Sequence, residues 1–136
     1  ALKVVTDLER IGDHASDIAE LILRIRGEHI YHVVRHIPGM AMAAREMVRS
    51  AIDAFISQDI TAAKTIEKQD DIVDELFTKV KNDVIDLLKQ SAEHADQCID
   101  LLMVAKYLER IGDHAVNVCE WTEFAKTGAL KNVRIL

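Results

Sequence analysis

The 136-residue sequence predicts an all-α protein made of antiparallel, up-and-down helices. One observation behind this prediction is an internal repeat: the eight residues Leu-Glu-Arg-Ile-Gly-Asp-His-Ala occupy positions 8–15 and, unchanged, positions 108–115. Composition is the second observation, since the chain has five glycines, one proline and only 4% aromatic residues, as helical bundles do. The third is an apolar periodicity close to 3.6 residues, which is typical of amphipathic helices.

Each copy of the repeat places acidic and polar residues in one stripe and apolar residues on the opposite side of a helix. The stripes consist of Glu9, Asp13, Asp17 and Glu20 in the first copy and of Glu109, Asp113, Asn117 and Glu120 in the second. Like charges four residues apart destabilise a helix by about 0.2–0.5 kcal/mol per pair, and no Lys or Arg interrupts either stripe. Gly12 and Gly112 each cost about 1 kcal/mol inside a helix. A bound cation would offset the repulsion, and the glycines would allow a neighbouring helix or ligand to approach closely.

The first two helices are delimited by glycine and proline. We predict the first helix over residues 2–26, with Gly27 as its stop. Residues 28–37 form a linker in this interpretation. The second helix begins at Pro38, because proline is tolerated in a first turn, and it ends near Gln58.

The third and fourth helices follow with short connections. Asp59 is the expected N-cap of the third helix, which continues to about Gln90. Ser91 or Asp96 is the expected cap of the fourth helix, which carries the second copy of the repeat and stops before Gly128. Such short turns imply antiparallel neighbours.

These elements divide the chain into one complete bundle and part of another. Residues 38–128 form a complete three-helix bundle, and residues 129–136 form a tail. Residues 1–27 correspond to the last helix of a preceding, incomplete bundle in tandem with it. The apolar stripe of that helix is expected to be exposed over its whole length. We therefore expect it to pack on a second copy of the chain or on a neighbouring molecule.

The third helix adds another acidic pair, Asp70 and Asp74, one turn apart. In an antiparallel bundle with helix axes about 8–10 Å apart, this pair and the second polar stripe can converge on one cation. The candidate metal ligands are Glu109, Asp113, Asp70, Asp74, Glu9, Asp13, Asn117, Glu120 and Asp17. Because every donor is oxygen, divalent or trivalent hard cations are favoured, namely iron, Mn, Mg or Ca, with Zn and Ni as further candidates. The chain contains no Glu-x-x-His, which argues against a ferritin-like di-iron oxidase.

Composition and missing motifs exclude several classes of function. The net charge of −6 argues against binding to nucleic acid. Two cysteines, Cys98 and Cys119, are too few for a disulfide framework, and the start of the chain has no signal-peptide pattern, so we expect a cytoplasmic location. No nucleophile–base pair or glycine-rich phosphate loop is present in the sequence, so we expect no catalytic activity.

The run Glu-Arg-Ile-Gly-Asp-x-x-x-Asn-x-x-Glu at 109–120, with Asp-x-x-x-Asp at 70–74 and Glu-Arg-Ile-Gly-Asp at 9–13, resembles the PhoU family. The resemblance implies two tandem three-helix bundles that carry metal clusters on these acidic motifs. It further implies a cytoplasmic homodimer that negatively regulates the phosphate regulon and phosphate homeostasis. The partners it implies are the ATPase of the phosphate ABC transporter and the phosphate sensor histidine kinase.

Two alternatives follow from the residues themselves. One is a structural or scaffolding bundle whose acidic stripes face water. The other is a metal-dependent phosphoesterase in which His14 and His114, each next to an aspartate, act as bases. Both histidines lie about 100° from the acidic stripe on the helical wheel and are interpreted as helix-surface residues.

Overall fold

The computed structural model describes residues 2–25 and 35–128, and within these ranges it contains four α-helices and no β-strand. The helices are α1 (Leu2–Arg24), α2 (Ile37–Ser57), α3 (Ile60–Gln90) and α4 (Ala95–Thr127). The prediction of an all-α protein is confirmed. None of the four helices combines the length and the apolar character that a membrane span requires.

The three helices α2, α3 and α4 pack around one apolar centre. Buried residues recur at spacings of three, four and seven, so each helix turns one stripe inward. The stripes are Met40, Ala44, Met47, Ala51 and Ala54 on α2, Ala63, Ile66, Val73, Val80 and Val84 on α3, and Val104, Leu108, Ile111, Ala115 and Val118 on α4. Alanine at several of these positions lets the helices approach closely. Polar side chains at the edges of the stripes can therefore reach the next helix.

The boundary between α2 and α3 follows the local sequence. Asp59 is the N-cap of α3, as predicted, because its carboxylate accepts a hydrogen bond from the Ala62 N–H at 3.0 Å. Gln58, just before it, has a φ of 55°. Gly128 ends α4 as predicted, with a φ of 75°. Both residues have the left-handed conformation that commonly terminates a helix.

The predicted cap of α4 is wrong. The helix begins at Ala95, and His94 holds the N-cap position without a side-chain hydrogen bond. The Ser91 hydroxyl instead accepts a hydrogen bond from the Glu93 N–H at 3.1 Å, so it stabilises the turn between α3 and α4. Asp96 lies in the first turn of α4, where its charge complements the positive end of the helix dipole.

The first helix is shorter than predicted. α1 ends at Arg24, and the Ile25 N–H lies 3.2 Å from both the Leu21 and the Ile22 carbonyl oxygen. Such shared hydrogen bonds are common in the last turn of a helix. Most of the linker predicted at 28–37, and the tail predicted at 129–136, lie outside the described residues.

α1 lies antiparallel to α4. Near one end of the contact, the Arg24 guanidinium donates a hydrogen bond to Asp100 Oδ1 at 3.2 Å. Towards the other end, Asp7 Oδ1 lies 2.8 Å from His114 Nδ1. Next to this second contact, the equivalent residues His14 and His114 stack with ring centroids 5.6 Å apart. The two copies of the repeat are therefore related by an approximate two-fold axis that passes between α1 and α4.

Two positions of the repeat unit are exposed on α1, although their equivalents on α4 are buried. Val5 and Ile22 of α1 are 49% and 56% exposed, whereas their equivalents Ala105 and Thr122 are 0% and 1% exposed. Other residues of α1, Val4 and Leu21, are buried against the core. The expectation that the whole apolar stripe of the first helix is exposed is therefore wrong in part, because α4 covers one side of it.

We expect the 136-residue chain to self-associate through the open side of α1, since that side carries a row of apolar residues. The substitution Ile22→Glu places a charge in this row and should shift the sedimentation coefficient towards that of a monomer. Ile56→Glu on α2 is the matched control, because Ile56 is 75% exposed but lies on another helix. A wild-type chain that sediments as a monomer at high concentration would contradict the expectation.

Candidate metal centre

Three carboxylates from two helices meet beside the core of the bundle. Asp70 and Asp74 lie one turn apart on α3, and Asp113 lies on α4. One ligand atom from each of the three residues lies within 4.8 Å of the others. This group, called here the acidic cluster, is the only such group of metal-ligating side chains in the described part of the chain. The three residues converge, as their spacing in the sequence predicts.

Gly112 is the reason that α3 can bring its carboxylate so close to α4. A Cβ atom at Gly112 would lie 2.9 Å from Asp70 Oδ1, closer than real side chains approach. It would also lie 3.7 Å from Met47 Sδ and from Val73 Cγ1. The prediction that glycine allows close approach is confirmed at this position. Its repeat equivalent Gly12 has no neighbouring atom within 4 Å among the described residues.

The carboxylates of the acidic cluster are held in an unfavourable electrostatic environment. Burial, together with the charges of Asp74, Asp113, Glu109 and Asp71, raises the pKa of Asp70 to about 7. The Asp70 Oδ1 atom is buried and accepts no hydrogen bond from the described residues. Burial also raises the pKa of Asp74, and the Glu109 and Asp113 charges add to this effect. At neutral pH, the carboxyl group of Asp70 is therefore partly protonated, and its Oδ1 atom has no hydrogen-bond donor among the described residues.

Glu109 extends the acidic cluster along α4 and has a cation of its own. Its side chain shares a hydrogen bond with Asp74. Its Oε1 atom lies 2.6 Å from Lys106 Nζ, and the ammonium group lies 5.3 Å from the centroid of the Phe77 ring. The polar stripe itself contains no basic residue, but Lys106 reaches it from three positions earlier in the helix. This contact is not among those predicted from the sequence, although the spacing of three residues is a signal that could have revealed it.

The other residues predicted as ligands lie elsewhere. Asn117 faces α1, where its Nδ2 donates a hydrogen bond to Asp7 Oδ1 at 3.1 Å. Glu120 is 5% exposed and lies close to Cys119, whose pKa is raised to about 12 by burial and by nearby glutamates. The three predicted ligands of the first copy are all on α1 and are not brought to the acidic cluster; they are Glu9, Asp13 and Asp17.

The two repeat histidines form a second polar group between α1 and α4. His14 stacks on Tyr107 at 5.4 Å and on His114 at 5.6 Å. His114 in turn contacts the buried carboxylate of Asp7. Burial and the positive charges of His114 and Arg110 lower the pKa of His14. The interpretation of both histidines as helix-surface residues is therefore wrong, because antiparallel packing of the two repeat copies partly buries them against each other.

The acidic cluster is chemically suited to a hard cation. All its donors are carboxylate oxygens, which Mg²⁺, Ca²⁺, Mn²⁺ and iron prefer. A cation here would supply Asp70 Oδ1 with the partner that the described residues do not provide. It would also relieve the repulsion that raises the pKa values of Asp70 and Asp74. The four residues in position to hold it are Asp70, Asp74, Asp113 and Glu109.

Comparison with known proteins identifies a family for most of the chain. Residues 1–22 and 37–122 match the family model of the PhoU domain. The chain is 39% identical over 127 residues to the phosphate-specific transport system accessory protein PhoU homolog of Clostridium acetobutylicum, covering 93% of this chain and 58% of that protein. It is 34% identical to PhoU homolog 1 of Thermotoga maritima, over 98% of this chain and 57% of that protein.

Solved structures show the same fold. The crystal structure of the phosphate transport system regulatory protein PhoU from Streptococcus pneumoniae superimposes with a TM-score of 0.85 and 25% identity, over 96% of this chain and 61% of that one. PhoU from Pseudomonas aeruginosa superimposes with a TM-score of 0.82 and 31% identity, over 93% of this chain and 61% of that one. The chain thus spans less than two thirds of the length of these relatives.

Proposed function

Because the chain belongs to the PhoU domain family, we propose that it is a metal-binding regulatory component of a bacterial phosphate transport system. Support for the transport role comes from its relatives, which are described as accessory or regulatory proteins of phosphate transport. Support for the metal-binding role comes from the acidic cluster, whose ligand atoms lie within 4.8 Å of one another. The cluster is the single observation that carries the proposal beyond the family.

The finer parts of the proposal rest on the family resemblance of the repeat motifs. We propose that the protein acts as a negative regulator of the phosphate regulon and of the phosphate ABC transporter. Its partners would be the transporter ATPase and the phosphate sensor histidine kinase, on the cytoplasmic side of the membrane, with the protein as a homodimer. The chain covers 58% of the Clostridium acetobutylicum relative. We therefore propose these roles for a protein of that relative's full length.

A bound metal would act as a structural cross-link in this proposal. Asp70 and Asp74 would hold it from α3, and Asp113 and Glu109 would hold it from α4. The cation would supply positive charge between two helices that otherwise repel each other through their carboxylates. The surface that a partner protein recognises would then depend on whether the cross-link is present.

The proposal includes no catalysis by this chain. A phosphoesterase would need a base aimed at the metal-bound substrate. The Nδ1 atom of His114 lies 2.8 Å from Oδ1 of Asp7, on α1, a helix that contributes no residue to the acidic cluster. A structural bundle without metal is the remaining alternative, and metal binding distinguishes it from the regulatory adaptor.

The substitution Asp113→Asn tests the proposal. It removes one negative charge and one proposed ligand from the acidic cluster and should lower the affinity for Mn²⁺ by about tenfold or more, since losing a group that merely supports a ligand already costs about 10–100-fold. The stability of the metal-free protein should stay the same or rise by about 0.2–0.5 kcal/mol, because repulsion is relieved. Calorimetric titration measures the affinity, and binding to the purified transporter ATPase, with and without Mn²⁺, measures the regulatory contact.

Asp86→Asn is the matched control, since Asp86 is an exposed residue of α3 about 18 Å along the helix from Asp74. It should leave both measurements at the wild-type level. Undiminished metal binding by the Asp113→Asn variant would contradict the assignment of the metal site. Binding to the ATPase that is equally strong with and without metal would contradict the metal-dependent part of the function.

A further inference from the structure

Lys106 contacts Glu109, the residue that extends the acidic cluster along α4. Its Nζ atom lies 2.6 Å from Glu109 Oε1, a length typical of a charge-assisted hydrogen bond. The Glu109 side chain is only 16% exposed, so solvent screens this contact weakly. Lys106 itself is 40% exposed, which leaves its ammonium group an open side.

The Phe77 ring gives the Lys106 ammonium group a second contact. The ring centroid lies 5.3 Å from Lys106 Nζ, within the range of a cation–π contact. A lysine stem has several rotatable bonds, so the head group can leave a carboxylate while it remains over an aromatic face. The contact with Glu109 can therefore be broken without exposing an apolar surface or moving a helix.

We infer that Lys106 is a counter-ion that pairs with Glu109 in the metal-free protein and releases it when a metal binds. Lys106 thereby sets the metal affinity of the site. This inference rests on the proposed metal binding by Asp70, Asp74 and Asp113. Glu109 becomes a ligand only after its ammonium partner has moved. The position equivalent to Lys106 in the first copy of the repeat is Thr6, so only the second copy has a lysine at this position.

Two opposite effects follow from this role. A fixed positive charge close to the acidic cluster weakens the binding of a further cation, because the two charges repel each other. The same charge stabilises the metal-free protein, because it offsets part of the repulsion among the carboxylates. A residue that only helped the helix to fold would stabilise the metal-free and the metal-bound protein alike.

The test is the substitution Lys106→Met, which keeps the length of the side chain and removes the charge. Calorimetric titration with Mn²⁺ should show binding that is on the order of tenfold tighter than in the wild type. The melting temperature of the metal-free variant should fall, and saturating Mn²⁺ should restore it to the wild-type value or above. Lys106→Gln serves as a second variant, with the same expectation, if the methionine variant does not fold.

Two control variants distinguish the effect on Mn²⁺ binding of the charge at position 106 from the effect of net charge. Lys106→Arg keeps the cation and should not bind Mn²⁺ more tightly than the wild type does. Lys89→Met changes the net charge by the same amount in the last turn of α3, about 22 Å along the helix from Asp74, and should also bind as the wild type does.

The possible failures are distinguishable. If the wild type binds Mn²⁺ and the Lys106→Met variant binds it equally or more weakly, the role of Lys106 is wrong and the metal site remains. If neither protein binds Mn²⁺ or iron, the proposed metal site is wrong and the role of Lys106 falls with it. Tighter binding by both Lys106→Met and Lys89→Met would show a general charge effect and would also overturn the role.

Discussion

Replacing Gly112 with alanine is expected to lower the affinity for Mn²⁺ by about 10–100-fold, as disturbed support of a metal ligand does. The new Cβ would lie 2.9 Å from Asp70 Oδ1. The carboxylate can relieve this contact by turning away from Asp74 and Asp113, which opens the acidic cluster. Stability should change less than affinity, because alanine in a helix is favoured over glycine by about 1 kcal/mol and this gain offsets part of the steric cost.

The internal repeat provides a control for this substitution within the same chain. Gly12→Ala changes the equivalent residue of the identical eight-residue motif, at a position with no described atom within 4 Å. It should stabilise the protein by up to about 1 kcal/mol in urea denaturation and leave Mn²⁺ titration unchanged. Equal metal affinity of the Gly112→Ala variant and the wild type would show that close approach at this glycine is unrelated to the metal centre.

Replacing Asp70 with asparagine is expected to stabilise the metal-free protein above pH 7 and to abolish metal binding. The pKa of Asp70 is raised from 3.8 to about 7, so the folded protein keeps a proton that the unfolded chain has already lost between these pH values. The contribution of Asp70 to folding stability therefore falls as the pH rises from about 4 to about 7 and then stays level. Asparagine removes this loss, and the gain above pH 7 is about 2 kcal/mol, since solvent screens part of the carboxylate repulsion.

Urea denaturation at a series of pH values measures this effect. The wild-type and variant stabilities should converge near pH 4 and separate towards pH 8. Metal affinity of the wild type should fall below pH 7, because a proton at Asp70 competes with the cation. Parallel stability curves for the two proteins would show that Asp70 ionises normally in the folded state.

The acidic pair of α3 and its meeting with α4 could be predicted because both depend on local spacing. Asp70 and Asp74 lie one turn apart on any helix, and a short turn forces α3 and α4 to be antiparallel neighbours. The periodic apolar residues then fix which side of each helix faces inward. These features need no knowledge of distant parts of the chain.

The position of Asn117 could not be predicted in the same way. Asp113 and Asn117 differ by only about 40° around the helix, so a wheel places them in one stripe. α4 has neighbours on more than one side, and this small angle turns Asn117 towards Asp7 of α1. Which helix covers which side of α4 is a tertiary property, and the same holds for the contact between His14 and His114.

The contact of Lys106 with Glu109 escaped prediction for a different reason. A long side chain can adopt many rotamers, and its partner is selected by the groups around it. The Phe77 ring comes from α3 and is not close to Lys106 in sequence. Spacing alone therefore allows the contact with Glu109 without requiring it.

The attachment of α1 to α4 alone has a consequence for folding. Among the described helices, α1 has close backbone neighbours only on α4, which lies on the order of one hundred residues further along the chain. The α2–α3 and α3–α4 hairpins are local and lose less chain entropy when they close. We therefore expect the three-helix bundle to form as one cooperative unit and α1 to join it afterwards. Amide hydrogens of α1 would then exchange with solvent through openings that leave the acidic cluster intact.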